Sequence, residues 1–201
     1  MCHDLFANAS VWQWLYQIDR DVAWQVQARG CSHCGGVLHS ACYPRKPRGV
    51  CRQLLGPAYE SRLSFCCSQR DCRRRCTPPS VRYLGRRVYL GVIVTLACAI
   101  KHGLSDQRRA YLIERLPIDR RTLKRWLAWW QGQLPMTPFW LAMKGRFASP
   151  LSDLPGALLG VIQGVPLTGR VAQLLALLMP LTTGSCAHCP RASIDPQKMP
   201  L

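Results

Sequence analysis

Two pairs of cysteines carry the clearest chemistry in this sequence. Cys31 and Cys34 enclose two residues and are followed by two glycines, and a C-x-x-C turn of this kind can present two thiolates to one metal ion. Cys67 and Cys72 form a second pair further along the chain, in a C-x4-C arrangement. Four thiolates at these spacings predict one closed, structural Zn²⁺ site per chain, with no open position for water.

The third ligand has an alternative. Cys66 and Cys67 are adjacent, and on a strand their side chains point to opposite faces, so either could pair with Cys72. The rival interpretation of Cys31 and Cys34 is a thioredoxin-like redox pair, which requires a βαβ setting that the sequence does not indicate. The site does not need the remaining nearby cysteines and histidines, or the C-x-x-C pair of the tail: His33, His39, Cys42, Cys76, Cys186 and Cys189.

The segment from Asp119 to Trp130 predicts a helix with two opposed faces. Apolar side chains recur at the spacing of a buried stripe: Leu123, Trp126, Leu127 and Trp130. Cations occupy the other side and, with Thr122, are the candidate DNA contacts: Arg120, Arg121, Lys124 and Arg125. Asp119 is a suitable N-cap, because its carboxylate can accept a hydrogen bond from an unpaired backbone amide. Such a helix fits a major groove, as the second helix of a helix-turn-helix does.

Two further cationic stretches are candidate DNA contacts. The proline-rich loop from Tyr43 to Gly49 carries Arg45, Lys46 and Arg48, and arginines on such a loop can enter a narrow minor groove. Directly after the last expected metal ligand, three arginines are suited to phosphates: Arg73, Arg74 and Arg75. A solvated charged surface explains each stretch equally well.

Charge and hydropathy limit the classes of partner. The formal net charge is +17, and 20 of the 27 basic residues, against only 5 acids, fall between Arg45 and Arg125. This clustering favours a polyanion such as nucleic acid over a merely basic protein or a membrane-surface protein. The first residues lack the apolar region of a secretory signal, and the apolar run 88–100 is too short to cross a bilayer. We therefore expect a cytoplasmic, nucleoid-associated protein with reduced cysteines and no membrane contact.

The elements that position these residues are mainly helical. An N-terminal helix is expected over residues 9–28, with an apolar stripe that ends before Gly30: Val11, Leu15, Ile18, Val22 and Val26. A small four-cysteine, zinc-ribbon-like β module follows. Helical periodicity then predicts one helix over 87–101, which buries Tyr89, Val92, Leu96 and Ile100. A second helix is predicted from Ser105, and it buries Ala110, Ile113 and Leu116. With the cationic helix over 120–133, they would form a homeodomain-like helix-turn-helix.

Five segments are expected along the chain. They are an N-terminal helix (1–30), the zinc-ribbon-like module (31–80), the helix-turn-helix domain (81–134), a helical C-terminal segment (135–181) and a flexible tail (182–201). Helices over about 137–147 and 170–179 are expected in the C-terminal segment. These helices could complete the core, form a homodimer or bind a separate transposase subunit.

The combined motifs resemble those of small bacterial proteins associated with transposable elements and often described as transposase-related. The resemblance covers about residues 19–147 and rests on the knuckle Gly30–Gly36, Tyr43–Gly49, Phe65–Cys67, Arg73–Arg75, Pro78–Val81, Leu84–Leu90 and an Arg-Thr-Leu-x-Arg-Trp helix. It implies a DNA-binding accessory protein with a zinc ribbon and a helix-turn-helix. Cys76, where the pattern has threonine, and the tail cysteines depart from it.

A catalytic transposase is not expected. Such enzymes mostly hold two metal ions between three carboxylates on an αβ scaffold, and no strand pattern here brings a trio of the 10 acids together. The sequence instead predicts a non-catalytic protein that recognises element-end or operator DNA. The alternatives are an adaptor or transcriptional regulator that recruits a separate transposase or controls its expression, and RNA binding through the ribbon.

Overall fold

The structure, a computed structural model, describes residues 9–45, 57–84, 88–89, 105–115, 118–143 and 167–183. The described chain is mainly helical with small antiparallel sheets, which confirms the mainly α class. Five α-helices are described: α1 (Ala9–Arg29), α2 (Asp106–Arg115), α3 (Arg120–Ala128), α4 (Pro138–Met143) and α5 (Leu167–Leu178). A π-helical turn, Trp129–Gln133, continues α3, and short 3-10 turns occupy Pro57–Glu60, Leu134–Met136 and Met179–Thr182.

Seven short strands are described: β1 (Leu38–Ser40), β2 (Tyr43–Pro44), β3 (Ser61–Arg62), β4 (Phe65–Cys67), β5 (Arg75–Cys76), β6 (Tyr83–Leu84) and β7 (Val88–Tyr89). All pairings are antiparallel: β1, β4 and β5 form one sheet in that order, β2 pairs with β3, and β6 pairs with β7. In the three-stranded sheet Leu38 lies opposite Cys67, and Phe65 lies opposite Cys76. This register places the core side chains of the β module on one face.

Helix α1 and the β module share one hydrophobic core. Its buried members come from α1 and from the sheet: Ala23, Val26, Cys31, Leu38, Phe65, Cys67 and Cys76. The predicted stripe of α1 is confirmed at Val11, Leu15, Val22 and Val26, while Ile18 is half-buried. The helix ends before Gly30, as expected, at a positive φ of 76°. Residues 9–76 therefore pack as a unit, rather than as a helix followed by a separate module.

The prediction of a helix over 87–101 is wrong for its first residues. Val88 and Tyr89 form strand β7, paired with Leu84 and Tyr83 of β6. Aromatic and β-branched residues favour strands, and Gly85 lies between the two pairs in the sequence, so a short hairpin competes with the first helical turn here. The rest of the predicted helix, with Val92, Leu96 and Ile100, lies outside the described residues.

Two of the three helices expected for the helix-turn-helix are present. Helix α2 begins directly after Ser105, and α2 contacts α3. Leu112 is buried and Ile113 is half-buried, whereas Ala110, which was expected to be buried, is exposed. The helix therefore turns Leu112 and not Ala110 toward the protein, because a leucine buries more apolar area than an alanine. Leu116 lies outside the described residues. A homeodomain-like arrangement of three helices is not confirmed.

The C-terminal segment reaches back to the β module. Helices α4 and α5 lie where helices were expected, and the described end of the segment is held by hydrogen bonds. The backbone amide of Ser80 donates to the Thr182 hydroxyl at 2.8 Å, and the Thr183 hydroxyl donates to the carbonyl of Thr77 at 2.7 Å. The expected flexible tail therefore begins with two tethered residues, and the tail cysteines Cys186 and Cys189 lie outside the described residues.

Candidate metal centre and cationic helix

The first knuckle of the metal centre is a tight turn that follows α1. The amide of Gly35 donates to the carbonyl of Cys31 at 2.8 Å, and the amide of Cys31 donates to the carbonyl of Gly36 at 2.8 Å. Gly35 has a φ of +71°, as expected for such a turn. A Cβ at Gly36 would lie 3.1 Å from the sulfur of Cys67, so this glycine lets the two knuckles approach each other.

The second knuckle joins β4 to β5. Cys67 is the last residue of β4, and its amide donates to the carbonyl of Arg74 at 3.0 Å. The amides of Cys72 and Arg73 both donate to the carbonyl of Gln69, at 3.1 and 3.0 Å. Arg73 adopts a left-handed φ of 44°, which is unusual for a residue with a side chain. The turn thereby directs Cys72 back toward Cys67.

The four predicted ligands come together. The sulfur atoms of Cys31, Cys34, Cys67 and Cys72 all lie within 4.8 Å of one another. Cys34 and Cys67 have sulfurs 3.4 Å apart, and Cys31 and Cys72 have sulfurs 3.7 Å apart. Ligands about 2.3 Å from a tetrahedral Zn²⁺ would be about 3.8 Å from each other, whereas a disulfide needs about 2.0 Å. The donor set and its spacing therefore fit a closed, four-thiolate metal site.

The structure also separates Cys66 from Cys67. Cys67 is fully buried and faces the cluster, while the half-buried Cys66 has its sulfur 3.4 Å from the carbonyl oxygen of Arg73. The alternation of side chains along β4 places the two thiols on opposite faces. Cys67 is therefore the third member of the cluster, as expected, and the alternative assignment of Cys66 is wrong.

The thiols of the cluster differ in acidity. Backbone amides of His33 and Cys34 donate to the sulfur of Cys31 and lower its pKa to about 6. Burial raises the pKa of the Cys67 thiol. Only a bound cation would stabilise four thiolates together, because each thiolate raises the energy of deprotonating its neighbours. The arrangement is suited to holding a metal ion.

Helix α3 has the two faces predicted for it. Leu123, Trp126 and Trp130 are buried and Leu127 is half-buried. The four cations of the other side are exposed: Arg120, Arg121, Lys124 and Arg125. In the part of the chain that the structure describes, none of these four forms an ion pair. Together with hydrogen bonds from Thr122, the charge of Arg125 lowers the pKa of the nearby Asp119 carboxyl, but none of the four cations is neutralised by direct contact with a described carboxylate.

Asp119 is the N-cap of α3, as predicted. Its carboxylate accepts a hydrogen bond from the amide of Thr122 at 2.6 Å and a second from the Thr122 hydroxyl at 2.9 Å. These bonds hold the pKa of Asp119 below its ordinary value. Thr122, expected among the DNA contacts, is itself buried, so its side chain belongs to the cap and not to the exposed cationic face.

The other predicted DNA contacts divide into two groups. Arg73 and Arg74 are exposed on the second knuckle. Arg75 instead donates to the carbonyl of Ala41 at 3.1 Å and to the Ser64 hydroxyl at 3.3 Å, which ties it to the β module. Arg45 is half-buried, with its guanidinium 5.5 Å from the centre of the Tyr83 ring. Lys46 and Arg48 lie outside the described residues.

Sequence reasoning missed two buried arginines. Arg82 is 2 % exposed and forms an ion pair with the buried Asp19, and its guanidinium lies within 5.1 Å of three tyrosine ring centres: Tyr16, Tyr59 and Tyr83. Arg62, also 2 % exposed, donates to the carbonyl of Pro78, and burial lowers its pKa. Both guanidinium groups lie in the interior and are not available to a polyanion.

Comparisons of the chain with protein-family profiles, with curated proteins and with solved structures found no match. Within the described residues, no helix combines the length and apolar character that crossing a membrane requires.

Proposed function

We propose that this chain is a non-catalytic, cytoplasmic protein that binds double-stranded DNA as an accessory of a transposable element. One observation carries the proposal: α3 buries one face in the protein and presents an exposed face of four cations. A cationic helix of this kind can enter a major groove and gain affinity by releasing counterions from phosphates.

The shape of the exposed face supports groove entry. Arg121, Lys124, Arg125 and Ala128 recur at i, i+3, i+4 and i+7, and all four are exposed. The long cations therefore lie in the first two turns, and the stripe ends at the small side chain of Ala128. Helices of helix-turn-helix proteins contact base edges mainly through their N-terminal residues, which agrees with this distribution.

The metal centre supports the same proposal indirectly. We propose that the four thiolates hold one structural Zn²⁺, because a closed set of four cysteines is typical of zinc ribbons. Arg73 and Arg74 follow Cys72 directly and are exposed, so an ordered knuckle would hold them ready for backbone phosphates. In the described residues, the only group of potential ligands close enough to hold a metal consists of these cysteines, and no trio of carboxylates suggests a cleavage site.

Selection from random duplexes by gel shift tests the proposal. Arg121→Ala combined with Arg125→Ala removes two charges from α3, and Arg20→Ala with Arg29→Ala removes two exposed charges from α1 as the matched control. We expect the α3 variant to lose affinity strongly and its salt slope to fall by at least about one unit, because each lost phosphate contact removes about one unit. Equal losses in both variants, or no duplex binding by the wild type, would exclude DNA binding through α3.

Two exposed apolar side chains favour a protein-binding adaptor as the second candidate. Met136 and Leu141 are 76 % and 51 % exposed, on the 3-10 turn and the helix α4 that follow the π-helical turn. Deleting residues 135–201 would also remove Thr182 and its bond to Ser80, so point substitutions are the better test. We expect Met136→Glu with Leu141→Glu to abolish self-association or transposase recruitment if the adaptor role holds. Unchanged size and recruitment would exclude a role for this surface.

A further inference from the structure

We propose that Arg125 reads a guanine in the major groove and that Asp119 and Thr122 hold it in position for this contact. The inference rests on the proposed function and adds to it the base recognised and the residue that recognises it. It follows from a chain of hydrogen bonds along one side of α3, which fixes Arg125 and leaves the other cations of that face unfixed.

The chain of hydrogen bonds begins at the helix cap. The Asp119 carboxylate accepts both the amide and the hydroxyl proton of Thr122. Because the hydroxyl donates its only proton to Asp119, it can act only as an acceptor toward Arg125, whose Nη2 donates to it at 3.0 Å. Thr122 is 1 % exposed, so its hydroxyl is a fixed point rather than a surface group.

The other cations of the face are not held in this way. Among the described residues, Arg120, Arg121 and Lys124 have no hydrogen-bond or ion-pair partner, and all three are exposed. Long, unrestrained side chains lose conformational entropy when a contact orders them, and they suit phosphates, whose positions tolerate variation. A side chain already held by the protein loses less entropy, which suits a contact that must discriminate between bases.

The chemistry of a held guanidinium selects guanine. Arg125 carries five N–H groups in a rigid plane, and the bond to Thr122 uses one of them. Two parallel donors remain for a bidentate contact, and in the major groove only guanine offers two acceptors, N7 and O6. Arg125 lies in the exposed stripe between Arg121 and Ala128, one turn into the helix, where base contacts are made.

A cycle between protein and base variants tests the inference. The preferred duplex is selected with the wild-type protein, and each guanine is then replaced in turn by 7-deazaguanine, which lacks the N7 acceptor. We expect one position at which the replacement weakens wild-type binding about tenfold, because it removes one charge-assisted hydrogen bond of the bidentate pair. With Arg125→Ala, the same replacement should change affinity less than about twofold. Lys124→Ala, the control on the same face, should weaken binding to all duplexes while the dependence on that guanine remains.

The positioning role of Thr122 is tested in the same duplexes. Thr122→Val removes the hydroxyl at nearly constant shape, and we expect the preference for the guanine to fall several-fold. Thr122→Ser keeps the hydroxyl and should keep the preference, which separates positioning from any loss of folding. If both variants behave alike, Thr122 does not position Arg125.

The outcomes distinguish this inference from the proposed function. Duplex binding that depends on α3 but on no guanine contacted by Arg125 would overturn the guanine assignment and leave DNA binding intact. A wild-type protein that binds no duplex would overturn both. The structure leads us to expect a guanine dependence that is lost in Arg125→Ala, reduced in Thr122→Val and kept in Lys124→Ala and Thr122→Ser.

Discussion

Asp19 and Arg82 form a buried ion pair between residues 63 positions apart in the chain. The Nε atom of Arg82 donates to the Asp19 carboxylate at 2.7 Å, and both side chains are almost fully buried. The same carboxylate accepts the amide of Val81 at 2.7 Å and the hydroxyl of Ser80. Asp19 therefore joins α1 to the segment that follows the β module.

Ser80 extends this contact to the C-terminal part of the chain, because its amide donates to Thr182. Arg82 extends it toward β3, since its guanidinium donates to the carbonyls of Tyr59 at 2.9 Å and Ser61 at 3.2 Å. Through Ser80 and Arg82, the Asp19 carboxylate belongs to one hydrogen-bond network that links α1 with three other regions of the chain. This explains how short strands with few ladder hydrogen bonds can hold a fixed arrangement.

We expect Asp19→Ala to lower the free energy of unfolding by about 3–5 kcal/mol, because the guanidinium of Arg82 would remain buried without its counter-charge. Urea denaturation followed by circular dichroism measures the change. Asp21→Ala removes an exposed carboxylate two residues away and should change stability by less than about 0.5 kcal/mol. Equal effects of the two substitutions would contradict the role assigned to Asp19.

The sequence was informative where the signal is local. The cysteines fall at fixed spacings within two turns, so Cys31, Cys34, Cys67 and Cys72 could be predicted, with Cys66 as the alternative to Cys67. The two faces of α3 likewise follow from periodicity within one helix. In both cases the chemistry and the geometry are set by residues close together in the chain.

Long-range contacts gave a weaker signal. Asp19 lies four residues after Leu15 and three before Val22, inside the apolar stripe of α1, and an acid at such a position indicates a buried partner. Nothing local to Arg82 identifies it as that partner. Strand β7 was not predicted for a related reason. The apolar spacing from Val88 onward is that of a helix, and the pairing of Val88 with Leu84 is a contact that this spacing does not indicate.

We expect metal content to depend on Cys67 and not on its neighbour. Wild-type protein and Cys66→Ser should each carry roughly one Zn²⁺ per chain, while Cys67→Ser and Cys31→Ser should carry much less. Metal analysis of protein purified without chelator measures this. Chelation should also unfold the β module in the wild type, because binding and folding are coupled in such sites. Equal zinc in all four proteins would refute the assignment.

Removal of the α3 cap should weaken the helix that presents the cations. Asp119→Ala leaves the amide and hydroxyl of Thr122 without their acceptor, and we expect a lower free energy of unfolding, measured by urea denaturation. Asp106→Ala, at the first residue of α2, removes an exposed carboxylate that is paired with the half-exposed Arg109, and should have little effect. A larger loss in the Asp106 variant would contradict this assignment of the cap.

The buried tyrosines predict a loss of stability in alkali. Burial raises the pKa of Tyr83 to about 12 and that of Tyr59 well above its ordinary value, and it outweighs the opposing effect of the charge on Arg82. Above pH 10 the unfolded chain releases these phenolic protons while the folded protein keeps them, so the free energy of unfolding should fall from about pH 10 to about pH 12. Below pH 10 both phenols are protonated in the folded and the unfolded chain, so their contribution to the free energy of unfolding is fully present. Urea denaturation at a series of alkaline pH values measures the decline, and absorbance of the phenolate reports the ionisation itself.

Tyr83→Phe should be less stable at neutral pH, because it loses the hydrogen bond to the carbonyl of Tyr59, yet its decline in alkali should be shallower. Parallel declines in the two proteins would show that Tyr83 ionises no later in the folded protein than in the unfolded chain.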